Sequence, residues 1–253
     1  MNNMDFLAQL FEIILKYLKT ENDEYYELID DSCITFEQIQ LYCLSFIRGL
    51  INSFSKNNIV FTEEFINSIF PDVVQTICPF VLKNEIVQKS AMKTILAICK
   101  YFHNKSPHII LPFYHYFISI FETNWEISNI FFKNIFDLNI QLDLPSDFLG
   151  SLLTLSFKQF IQNNFDILPM LASVANRYEG FPIVEFHQIV QANFETMKPE
   201  EVGNVISVYY KYILNNFLTE DKLPLINDIM KLSFKALELC ATFSIPPNPI
   251  RLF

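Results

Sequence analysis

The sequence predicts an all-α fold: a right-handed α-α superhelix of about six stacked helix pairs, forming one domain over residues 1–253. Three observations carry this. Apolar residues make up 51% of the chain, including 27 Phe and 11 Tyr, and they recur at steps of three and four. Only four glycines are present, too few for a strand-rich fold with many tight turns or for a phosphate-cradling loop. The first helices of successive pairs begin near residues 62, 107, 147, 182 and 221, a spacing close to forty residues. A closed helical bundle is the competing architecture.

In chain order, the first helix spans about Asp5–Lys19, with Phe6, Leu10, Ile13, Ile14, Tyr17 and Leu18 expected on its buried side. An acidic insertion follows at about residues 20–34. Thr35-Phe36-Glu37-Gln38 is a capping-box pattern and opens a helix to about Phe54. Thr62-Glu63-Glu64 begins the next, which Pro71 and Pro79 kink or divide. After a polar elbow at Lys83-Asn84-Glu85, the partner helix carries Val87, Ala91, Ile95, Ile98 and Phe102 in a single apolar stripe. The small Ala91 lets a neighbouring helix approach closely.

Ser106-Pro107 starts a helix to Phe121, and Asn124 caps another to about Leu142. Its Ile127, Phe131 and Ile135 repeat the Val87, Ala91, Ile95 pattern forty residues on. Further helices are expected from Asp147 to about Gln162, around Pro169 to Tyr178, and from Pro182 to about Met197. The last two run from Pro199 to about Phe217 and from Leu223 to Phe243. The proline-rich end, Ile245–Pro249, is expected to be extended.

Charge and cysteine usage bound the function. The net charge is −10, and the first 35 residues hold −6 of it. Such a chain repels nucleic acid and anionic membrane and attracts basic partners. Direct nucleic-acid binding is therefore not expected. Five cysteines without CxxC spacing fit a reducing compartment and a role as small core residues. The N-terminus has no basic region before its apolar stretch, so it is not a signal peptide. The most membrane-like stretch, Ile109–Phe121, has 13 residues where a span needs about 20.

No residue set points to catalysis, a cofactor or a metal. Cys99 and His103 stand four apart on one helix, but Cys99 belongs to the apolar stripe and His103 to the helix end. Gly150-Ser151 lacks the G-x-S-x-G frame of a nucleophile elbow. Glu63-Glu64 and Glu200-Glu201 fall in first turns, where they complement the helix dipole.

Two charged features are candidates for partner binding. Lys89, Lys93 and Lys100 fall within about 40° of one another on a helical wheel. They form either a solvated face or a stripe that meets an acidic partner. Glu21, Asp23, Glu24, Glu27, Asp30 and Asp31 flank Tyr25 and Tyr26. They form either a solvated loop or a grip for a basic peptide.

Residues 69–102 resemble a HEAT repeat: a proline-broken helix beginning IFPDVV, an elbow, then a V-x-x-x-A-x-x-x-I helix. The basic residue usual directly after that valine is replaced by Gln88, with Lys89 one place on. Residues 6–54 are similar to part of a nuclear transport receptor of the importin-β and exportin class, with LFEIILKYLK, the insertion ENDEYYELIDD and FEQIQLYCLSFIRGLI in succession. The resemblance implies a non-enzymatic protein-binding solenoid of cytoplasm and nucleus. Its implied partners are basic cargo, the small GTPase Ran and nucleoporins. Such receptors are several times longer, so this chain would correspond to a segment of one. A HEAT-type scaffold subunit of a phosphatase, coat or kinase assembly is the alternative.

Overall fold

Thr35 opens a helix as its sequence pattern predicts. Its hydroxyl accepts from Gln38 N at 3.2 Å, while Gln38 Oε1 accepts from Thr35 N at 2.8 Å. This reciprocal cap satisfies two backbone donors that the first turn leaves orphaned. The computed structural model describes residues 3–20, 35–103, 105–137, 146–215 and 223–242, which form helices and short 3-10 turns without any strand. The acidic run Glu21–Asp31 and the proline-rich end Ile245–Pro249 lie outside the described residues. The chain groups into two compact units, Met1–Leu142 and Asp143–Phe253.

The first unit holds α1 (Asn3–Lys19), α2 (Phe36–Lys56), α3 (Glu63–Ile77), α4 (Glu85–Phe102), α5 (Leu111–Ser119) and α6 (Trp125–Asp137). α1 packs on α2 and α3, α2 on α4, and α4 on α6. The stop signals are local. α2 ends where Asn58 turns to φ 51°, allowing Ile59 N to reach back to Phe54 O at 3.0 Å. Pro71 is carried inside α3, whereas at Pro79 the chain tightens into a 3-10 turn, Cys78–Leu82. Pro107 likewise heads a 3-10 turn, Pro107–Ile109, and α5 ends at Ser119, shorter than its sequence suggests.

Val87, Ala91, Ile95 and Ile98 are fully buried, so the stripe on α4 is core. Thr94 Oγ1 joins α4 to α2 by donating to Leu44 O at 3.0 Å. Ser128 Oγ joins α6 to α5 through Phe117 O at 2.8 Å. The loop residue Phe61 gathers the rings of Phe54, Phe65, Phe70, Tyr101 and Phe102 around itself.

α1 buries a face turned from the one expected, keeping Ile14 and Leu18 of that set inside. Phe11, Ile14, Leu15 and Leu18 are inside, while Phe6, Ile13 and Tyr17 are exposed. On a helical wheel this is a rotation of about 90°. The helix is apolar around most of its circumference, so spacing alone did not single out the packed stripe. Nor is Ile109–Phe121 the nearest approach to a membrane span. By length and composition Glu63–Leu82 comes closer, and most of it is buried inside this unit.

The second unit holds α7 (Ser146–Ile161), α8 (Leu168–Ala175), α9 (Ile183–Asn193), α10 (Pro199–Asn215) and α11 (Leu223–Thr242). α8 packs on α7 and α10, and α11 on α10. Phe160 of α7 stacks on Phe186 of α9 at 4.9 Å, and Phe186 meets Tyr209 of α10 edge-on at 5.4 Å. Asn163, at φ 64°, closes α7 as Asn58 closes α2.

Candidate functional site

Three surface grooves differ in what they offer. Between α1 and α3, Lys16 and Lys19 share a groove with Glu12 and Asp72, and Lys19 pairs with Asp72 at 3.4 Å. Its charges are already balanced. In the second unit, Phe157, Ile161 and Tyr178 line a mainly apolar groove of about 680 Å³. The third, of about 450 Å³, lies across α2, α4 and α6, and every charged side chain lining it is a cation.

That third groove follows from the packing of the first unit. α2 presents its buried stripe, Leu44, Ile47, Ile51 and Phe54, to the core. Arg48 and Asn52, one turn apart, are thereby left on the rim beside α4. α4 contributes Lys93 and Lys100, with Leu96 and Ala97 between them. α6 supplies Asn134, whose Nδ2 donates to Ile130 O at 2.7 Å. Arg48 makes one long contact, to Ser45 Oγ at 3.4 Å. Among the described residues, Lys93 and Lys100 have no ion-pair partner.

The lysine stripe of the sequence therefore divides. Lys93 and Lys100 stand in the groove, whereas Lys89 is held by Glu85 one turn back, at 2.5 Å. The hydrogen bond from Lys89, joined by the attraction of its charge, lowers the Glu85 carboxyl below its ordinary range. Arg48, Asn52 and Asn134 were not singled out in the sequence. For Arg48 and Asn52 the signal there was their polar i, i+4 step on a face turned away from that of Leu44, Ile47 and Ile51. The acidic candidates Glu21, Asp23, Glu24, Glu27, Asp30 and Asp31 lie outside the described residues.

The buried ionisable groups sit elsewhere and belong to the core. Cys99 is fully buried, and burial holds its thiol well above the ordinary range; burial pushes Cys78 up to about 12. His103 Nδ1 donates to Lys100 O at 2.7 Å. Among the described residues no three His, Cys, Asp or Glu side chains converge as a metal site would require. In the second unit, buried His187 shares a 2.8 Å hydrogen bond with Tyr209 Oη, and its Nε2 has no partner. Burial lowers the imidazole pKa, with Asp228 acting in the opposite sense, and burial raises the Tyr209 phenol. Neither residue lines the apolar groove of that unit.

No protein-family model, curated protein or solved structure matches this chain.

Proposed function

We propose that this chain is a protein-binding module built from stacked helix pairs, of the HEAT or armadillo type, without catalytic activity of its own. The observation that carries the reading is the open cationic groove across α2, α4 and α6. It is a surface formed by three successive second helices. The contact order supports the repeat reading, since α1 meets α3, α2 meets α4 and α4 meets α6, as stacked pairs do. In the second unit α8 meets α10 in the same way.

Within that class the specific proposal is a nuclear transport receptor or a segment of one. Its support is the resemblance over residues 6–54 and the acidic balance of the chain. The test is capture of the purified chain on immobilised Ran loaded with GTP or with GDP. Retention by the GTP form alone is expected; equal retention, or none, removes the transport reading. The broader reading stands or falls on a different result. A partner selected on the wild-type chain must be released when Lys93 and Lys100 are both changed to Glu.

A further inference from the structure

The groove across α2, α4 and α6 places cations on both sides of an apolar floor, and its spacing restricts what fits. Lys93 and Lys100 are seven residues apart, so they share one face of α4 and stand about 10 Å apart along its axis. Leu96 and Ala97, both half-buried, lie between them. Arg48 adds a third cation from α2, and the amides of Asn52 and Asn134 complete the rim. No Asp or Glu lines the groove, although the chain as a whole carries −10.

We infer that this groove binds an extended acidic segment of a partner protein, with carboxylates three residues apart on either side of an apolar side chain. The inference rests on the reading of the groove as a partner-binding surface. An extended chain in the polyproline II conformation turns once every three residues and rises about 3.1 Å per residue, so residues i and i+3 share a face about 9 Å apart. Carboxylates at i and i+3 of such a chain reach Lys93 and Lys100 together, and an intervening Leu or Val, a third of a turn away, leans against Leu96 and Ala97. Arg48 can donate two parallel hydrogen bonds to either carboxylate. Because the lysines already stand in water, pairing them requires little desolvation.

Charge complementarity favours a peptide over nucleic acid. A nucleic-acid strand brings a continuous line of phosphates, and affinity for it rises with each phosphate neutralised. Three cations in a groove of about 450 Å³ neutralise few of them, and the surrounding acidic chain repels the remainder. A short peptide with two carboxylates meets the three cations without that excess.

The test is fluorescence anisotropy with the full chain and a labelled peptide centred on Glu-Leu-Ser-Glu. Binding is expected to weaken with added salt. It should fall at least about tenfold with Lys93→Glu plus Lys100→Glu, and by a smaller step with the milder Gln pair. Lys89→Gln, outside the groove, should leave it unchanged. Thermal unfolding of each variant checks that the fold is retained. Equal binding of the peptide by wild type and the double Glu variant overturns the inference, as does equal binding of a Gln-Leu-Ser-Gln peptide. Tighter, lysine-dependent binding of a single-stranded RNA also overturns it. If the peptide does not bind, the acidic-segment inference fails, and a random-peptide display selection then judges the underlying reading. Ligands lost on the double variant keep the groove as a partner site of another chemistry, and ligands held equally by both remove it.

Discussion

Phe61 is the residue on which the first unit should depend most, although it lies in no helix. It is 5% exposed and stacks on Phe65 at 4.8 Å, while Phe54 meets it edge-on at 4.8 Å. Tyr101 and Phe102, at the end of α4, lie 5.6 and 6.2 Å away. The ring therefore ties the end of α2 and the start of α3 to the end of α4. Truncation by Phe61→Ala removes the ring and leaves a cavity that the five surrounding helical rings, already locked in place, cannot fill. Such substitutions cost about 3–5 kcal/mol. Phe61→Leu keeps most of the volume and loses mainly ring–ring contacts, each worth about 0.5–1.5 kcal/mol and not additive. A loss of about 1–2 kcal/mol is expected for it.

The chain supplies its own probe. Its single tryptophan, Trp125, is on α6 in the first unit, so its fluorescence follows that unit while circular dichroism follows both. With a urea slope of about 2 kcal/mol per molar, Phe61→Ala should lower the tryptophan midpoint by about 2 M, and Phe61→Leu by less than half as much. An unchanged tryptophan midpoint in Phe61→Ala would refute the view that this aromatic cluster holds α2, α3 and α4 as one cooperative body. Equal shifts for Ala and Leu would show that the ring contacts, and not the filled volume, carry the energy.

Three other predictions concern single groups. A Cβ at Gly180 would lie 2.7 Å from Tyr178 Cε1, whereas one at Gly150 would lie 3.4 Å from Tyr178 Oη. Gly180→Ala should therefore cost about 1 kcal/mol or more in urea unfolding, be relieved by Tyr178→Ala, and exceed the effect of Gly150→Ala. The lowered His187 pKa makes the unfolded chain bind more protons below about pH 6.5, so stability is complete above that value and lost as pH falls through the window beneath it. Asp228→Asn removes the charge that partly restores the imidazole pKa, and thermal melts should then show a steeper loss on the acid side. Site-resolved alkylation at mildly alkaline pH should modify Cys43 well before Cys78 and Cys99, whose thiols burial keeps protonated; equal rates at all three would contradict their placement.

How much was legible in the sequence depended on whether a feature was local. The capping box at Thr35 and the proline at Pro79 act within a turn or two and mark a helix start and a change of helix type, whereas Pro71, equally local, leaves α3 undivided. The α4 stripe was equally plain, because Val87, Ala91, Ile95 and Ile98 recur at steps of three and four on one face while Lys89, Lys93 and Lys100 hold the opposite one. α1 shows the limit. Ile14 and Leu18 fit the expected stripe with Phe6, Leu10, Ile13 and Tyr17 as well as the packed one with Phe11 and Leu15, and the packing of α2 and α3 decides between them. The groove has the same cause at larger scale. Lys93 and Lys100 share a face of one helix by arithmetic, but Arg48 lies 45 residues before Lys93 and Asn134 lies 34 after Lys100. They converge because Ala91 lets α4 pack closely and Thr94 hydrogen-bonds across to Leu44 on α2, which sets Arg48 alongside the lysines. Replacing Ala91 by Leu should therefore disturb the groove as well as the core. The expected cost is about 1–3 kcal/mol in stability. Any affinity that depends on Arg48 should fall further than affinity that depends on Lys93 and Lys100 alone, since the two lysines share one helix and Arg48 must be held against it.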